Sequence, residues 1–267
     1  MLILVLLCAG AAVFCGTAAA SLYYTVFCVR KRRQRTSAAS AAEKLSALRQ
    51  KLHAARGNKK DAPCAAPPLS AHLHSAAVMA PLLESKVSWH TRAENGELER
   101  VCVTNARGQK LSGYIRRPHG GGCKRAVLLV HGYADSASGT AYLADAYAER
   151  GAASLAIDCR AHGASQGRLT GMGYTDALDM ELWLRELSAR MGPDCSIALH
   201  GVSMGAAAVL LYLARCGADS ALLRPVMAVS DCAFSDLRRL FMFQSRFIAG
   251  DAPLQQCVFS CIVSCMS

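Results

Sequence analysis

Gly201-Val202-Ser203-Met204-Gly205 holds the residue types and spacing in this chain best suited to chemistry. A serine hydroxyl becomes a nucleophile when it is exposed and a neighbouring base takes its proton. The preceding run, Cys195-Ser196-Ile197-Ala198-Leu199-His200, is apolar enough for a buried strand, and Ala206 to Arg215 is rich in alanine and leucine, as a helix would be. Between a strand and a helix, G-x-S-x-G forms a nucleophile elbow, a turn so sharp that the residues two before and two after the serine must lack bulk. Gly201 and Gly205 meet that demand. Such a serine attacks ester or amide carbonyls. Against this stands an absence: no histidine follows His200, and in this arrangement the base normally comes late in the chain.

The elements that must position Ser203 can be read on either side of it. Leu98–Val103 and Leu111–Arg116, joined by the turn Asn105-Ala106-Arg107-Gly108, read as a hairpin. Ala126-Val127-Leu128-Leu129-Val130 and Ala152–Ile157 are continuous apolar runs, expected of strands buried on both faces. Thr140–Arg150 and Tyr174–Arg190 read as helices, and Pro225–Ser230 as a further strand. Strands alternating with helices after an opening hairpin imply a mainly parallel α/β sheet with helices on both faces. Ligands bind such sheets at the carboxyl ends of the strands. Ser203, His131-Gly132 and Asp158 all fall at such ends.

In this order the motifs resemble the α/β-hydrolase superfamily, and within it the membrane-anchored serine-aminopeptidase-like branch. His131-Gly132-Tyr133 follows the third strand, where that family places its oxyanion loop. Asp158-Cys159-Arg160-Ala161-His162-Gly163-Ala164-Ser165 matches D-x-R-x-H-G-x-S after the fourth. His200 to Gly205 is the elbow, and Ser230-Asp231-Cys232 follows the sixth strand. The match covers roughly residues 90 to 240, and four elements in register are far more specific than a lone G-x-S-x-G.

The resemblance implies that Ser203 is the nucleophile, and that the backbone N–H groups of Tyr133 and Met204 bind the oxyanion. It leaves Asp231 as a candidate acid and gives structural roles to His131, His162 and His200. It implies an ester or amide substrate, either a small molecule or a peptide. No metal or nucleotide motif appears in the sequence, so no cofactor or metal is expected. The family carries its acid after a seventh strand and its histidine after an eighth, and this chain ends at Ser267 before either. The expected fold is therefore an α/β-hydrolase fold lacking its last strands. Truncation of a larger hydrolase is the favoured explanation. The alternatives are a degenerate relative and a sheet completed by a partner. The corresponding alternative function is a non-catalytic binding module that keeps the fold.

The net charge of +11 is concentrated in one segment. Residues 30–60 hold eleven Lys/Arg and only Glu43 as an acid, a local excess that argues against nucleic-acid binding by the domain. Residues 1–29 carry no charged side chain and are long enough to span a bilayer core, with Arg30-Lys31-Arg32-Arg33-Gln34-Arg35 immediately after. The expectation is a single-pass membrane anchor, its basic flank 30–35 against lipid and its globular part cytoplasmic. A cleaved signal peptide is the competing reading, favoured only by Ala18-Ala19-Ala20. The division expected is 1–29 anchor, 30–85 basic helical stalk and Pro-containing linker, and 86–267 partial hydrolase domain. The thirteen cysteines include no C-x-x-C pair. Cys257, Cys261 and Cys265 recur every four residues, which suits packing on one helical face better than metal binding.

Overall fold

The computed structural model describes residues 46, 47, 50, 67–120 and 123–241. The expected anchor at 1–29, its basic flank, most of the stalk and the Cys257/Cys261/Cys265 face lie outside the described residues. Among the described residues no helix is long and apolar enough to cross a membrane. The order of elements is α1 (Pro67–Glu94), β1 (Glu99–Thr104), β2 (Lys110–Arg116), β3 (Arg125–Val130), a 3-10 turn (Ala137–Thr140), α2 (Ala141–Glu149), β4 (Ala153–Ile157), α3 (Tyr174–Met191), β5 (Ser196–Val202), α4 (Met204–Ala218) and β6 (Met227–Asp231).

The six strands form one sheet in the order β1-β2-β4-β3-β5-β6. The opening hairpin is antiparallel, and β2 also runs antiparallel to β4. From β4 to β6 every pairing is parallel. The register sets Ile157 beside Val130, Val130 beside Gly201, and Gly201 beside Ser230. These four residues make one row across the sheet. The residues that follow them, Asp158, His131-Gly132, Val202-Ser203 and Asp231, therefore all emerge at the same edge.

Strand alternation sorts the core into two layers. Leu128, Val130, Leu155, Ile157 and Leu199 meet Met180, Trp183, Leu184 and Leu187 of α3 and Val209 and Tyr212 of α4. On the other face Val127, Leu129, Ala156 and Ala198 meet Trp89 of α1 and Ala141 and Ala144 of α2. Leu128, Leu155, Leu184, Leu187 and Leu199 are fully buried, each contributing roughly 2 kcal/mol of apolar transfer.

Two expectations need correction. The stretch 58–69 reads as linker because of its prolines, yet Pro67 and Pro68 open α1, where a missing N–H costs nothing. The same helix continues to Glu94, through the boundary expected at 85/86. Trp89, 2% exposed, explains why: its indole packs edge-on against Tyr114 of β2 with ring centroids 6.1 Å apart. β6 also departs from its apolar sequence. Met227 is 53% exposed and the strand pairs only with β5 among the described residues. Of the cysteines, Cys159 and Cys216 are buried, whereas Cys102 and Cys232 are exposed thiols.

Candidate active site

Ser203 sits between β5 and α4 with φ 54° and ψ −110°. A side chain adopts this region only when its surroundings over-determine it, at a cost of about 1–3 kcal/mol. Three contacts impose it here. The Ser203 N–H donates to the Asp231 carbonyl oxygen at 2.8 Å, and the Ser203 carbonyl accepts from Ala207 N–H at 3.0 Å. The third is the absence of two side chains. A Cβ on Gly201 would overlap the Gly205 backbone, and one on Gly205 would overlap the Val130 carbonyl. The glycines flanking Ser203 are thus required by space, as the elbow reading expects.

The loop after β3 crosses directly beside this turn. A Cβ on Gly132 would stand 3.4 Å from Ser203 Cβ and 4.0 Å from Ser203 Oγ. Met204, the first residue of α4, has an N–H with no intrahelical acceptor, as at every helix start, and the helix dipole places partial positive charge there. Tyr133 follows Gly132 and is 39% exposed, its ring edge-on to His162 at 6.1 Å. Ser203, Gly132, Tyr133 and Met204 are therefore assembled at one point, with Ser203 partly open to solvent.

A strained serine between two space-limited glycines, at the carboxyl edge of this mixed sheet, decides the architecture. The chain has the α/β-hydrolase fold. Comparison with solved structures agrees on the fold. The Pyrococcus furiosus esterase Pf2001 is similar at 24% identity and a TM-score of 0.50, covering 61% of this chain and 62% of that one. An alpha-beta hydrolase from Vibrio vulnificus is similar at 21% identity and a TM-score of 0.50, covering 77% and 72%. The family model described as "Serine aminopeptidase, S33" matches residues 121–246. The uncharacterized protein YqkD of Bacillus subtilis (strain 168) is 28% identical over 145 residues, which cover 53% of this chain. The chain spans 45% of that relative's length.

Within the α/β-hydrolase fold the histidines are placed as follows. His131 Nδ1–H donates to the Gly132 carbonyl at 2.6 Å, and its Nε2 accepts the Cys159 N–H at 3.0 Å. Full burial, with His162 close by, lowers its pKa to about 4. His162 likewise spends Nδ1 on the Arg160 carbonyl at 2.8 Å and Nε2 on the Ala134 N–H at 3.3 Å. Both rings fix the oxyanion loop against the loop after β4, and neither has a nitrogen left for Ser203. His200 bonds through Nδ1 to the Tyr147 hydroxyl at 3.0 Å and points at α2; burial lowers its pKa.

Asp231 reaches Ser203 through its backbone carbonyl, while its side chain is exposed. Asp158 is the residue that motif matching located but gave no role. Its two carboxylate oxygens accept the N–H groups of Ala137 at 2.7 Å and Ala164 at 2.8 Å, stitching the oxyanion loop to its neighbour. Burial raises its pKa, against the pull of those two N–H donors. Ser165, the last residue of the same motif, donates to the Asp158 carbonyl at 2.6 Å and accepts the Ser112 N–H at 2.9 Å. Arg160 forks onto buried Asp179 of α3, with Nη2 at 2.6 Å from Oδ1. Among the described residues no cluster of His, Cys, Asp and Glu could hold a metal.

Proposed function

We propose that the chain is a membrane-tethered serine hydrolase acting on an ester or amide, with Ser203 as nucleophile. Ser203 Oγ adds to the carbonyl carbon, and the developing oxyanion is met by the N–H groups of Tyr133 and Met204. The leaving alcohol or amine departs with a proton, and water then hydrolyses the acyl-enzyme to release the acid and restore Ser203. Each preorganised donor of this kind contributes about 3 kcal/mol to the transition state. The observation that carries the reading is the left-handed backbone of Ser203, with Gly132 so near that a Cβ on it would stand 3.4 Å from the Ser203 Cβ. The likeness in fold to an esterase favours an ester of a small molecule. Residues 1–29 and the basic stretch 30–35 act as the tether, leaving the globular part in the cytoplasm.

The base limits this chemistry. With His131 and His162 committed to backbone partners, Ser203 lacks, among the described residues, the acceptor that a full triad supplies. Sites stripped of a triad member keep roughly 10³–10⁴-fold catalysis from the oxyanion hole and binding alone. Turnover is therefore slow. The test is hydrolysis of p-nitrophenyl butyrate by the full chain against Ser203→Ala. Slow turnover lost in Ser203→Ala agrees with the reading; equal rates for both contradict it. The same histidine bonds favour a second reading, a non-catalytic module that keeps the fold for binding. That reading predicts identical behaviour of the full chain and Ser203→Ala in every assay.

A further inference from the structure

We propose that Lys86 is a positioning residue for the oxyanion loop, making α1 a working part of the catalytic edge. Lys86 Nζ lies 2.8 Å from Asp135 Oδ1. The same oxygen accepts the Ser136 N–H at 2.9 Å, and the Asp135 N–H turns back onto the Gly132 carbonyl at 3.4 Å. Asp135 thus closes the turn that begins at Gly132 and contains Tyr133. Gly139 leaves the space its carboxylate occupies, since a Cβ there would overlap it. One ammonium on α1 therefore holds the side chain on which the whole turn closes.

The turn needs holding. Ala134 has φ 59°, the left-handed region that a non-glycine residue enters only under constraint. From the sheet side it is fixed by His162 on the Ala134 N–H and by Asp158 on the Ala137 N–H. Lys86 supplies the constraint from the opposite side. Its own footing is firm, because Trp89, one turn further along α1, is buried against Tyr114, and Arg92 is paired with Asp145 of α2. A displacement of α1 pulls Asp135 and moves the Tyr133 N–H relative to Ser203. The catalytic consequence rests on the hydrolase reading; the mechanical coupling does not.

The test uses the full chain with Lys86→Met, Lys86→Arg, Asp135→Asn, the double variant Lys86→Met/Asp135→Asn and, as control, Lys124→Met at the opposite edge of the sheet. Hydrogen exchange of the amides 132–136 reads the coupling. The account expects exchange about tenfold faster in Lys86→Met and wild-type rates in Lys86→Arg and Lys124→Met. In wild type it expects acceleration at about 1 M salt, where a half-exposed pair is screened. The rate of Ser203 labelling by a fluorophosphonate then falls about fivefold in Lys86→Met with unchanged melting temperature, and the double variant is no slower than either single one. Unchanged exchange in Lys86→Met and in salt overturns the proposal, as does failure of Lys86→Arg to restore it. Should wild type take no label at all, the hydrolase reading fails, and the exchange data still decide the coupling.

Discussion

The Ser203 N–H donates to the carbonyl oxygen of Asp231 over 2.8 Å, so the last strand of the described sheet pins the elbow through its backbone. The Asp231 carboxylate plays no part in that bond and is exposed. Asp231→Asn is expected to change Ser203 labelling by no more than about threefold, as for a surface substitution. Labelling kinetics of the variant check this. A loss of a hundredfold or more (roughly the scale of a missing catalytic group) would instead give the carboxylate a catalytic role.

The strain at Ser203 makes a second expectation. Glycine takes φ 54° freely, so Ser203→Gly relieves a cost of about 1–3 kcal/mol, offset in part by the greater freedom of glycine in the unfolded chain. Net stabilisation of about 1 kcal/mol is expected, together with complete loss of labelling. Urea denaturation measures the first and mass spectrometry the second. A variant less stable than wild type would mean that the serine side chain, rather than its backbone, holds the turn.

Gly205 tests the space argument. Its Cβ would overlap the Val130 carbonyl, a backbone group that cannot rotate away. Gly205→Ala should lose about 3 kcal/mol or more, at the upper end of overpacking costs. Gly217→Ala, on the same helix with nothing near its Cβ, should instead be neutral or stabilising by up to about 1 kcal/mol. Denaturation midpoints of the two variants compare them directly.

Acid should weaken the fold through His131. Its folded pKa is lowered from 6.5 to about 4, so the unfolded chain binds more protons between those values. Stability from this group is fully present above pH 6.5 and is lost as pH falls towards 4, by about 3 kcal/mol in all. Burial raises the pKa values of Asp158 and Asp176, which act in the opposite sense: their contribution is greatest in acid and is lost as pH rises through their folded pKa values. Urea titrations at pH 7 and pH 4.5 should show a net loss in wild type and a much smaller one in His131→Gln. Equal losses of stability in both proteins would remove His131 as the cause.

Periodicity made the sheet legible. Apolar runs such as Ala126–Val130 mark strands covered on both sides, and the observed strand Arg125–Val130 is buried from Ala126 onward. G-x-S-x-G marked the turn because only two glycines fit around it. What the sequence concealed depends on long-range contacts. Nothing local shows that Trp89 packs on Tyr114, so the sequence does not reveal that the helix runs on past the expected 85/86 boundary. Pro67 and Pro68 break helices in general but begin this one. The link from Lys86 to Asp135 joins residues 49 apart and leaves no local pattern. Asp158 stood in a recognised motif, but its role as a double acceptor appears only once the Ala137 and Ala164 amides converge on it.

The most direct measurement treats the full chain with a fluorophosphonate, in which Ser203 Oγ bonds to phosphorus, fluoride leaves and the hydroxyl proton passes to solvent. Peptide mass spectrometry then locates the adduct. The account predicts a single phosphonylated site at Ser203, absent from Ser203→Ala and diminished in Lys86→Met. Folded protein that stays unlabelled at Ser203, or labels equally in Ser203→Ala, contradicts it.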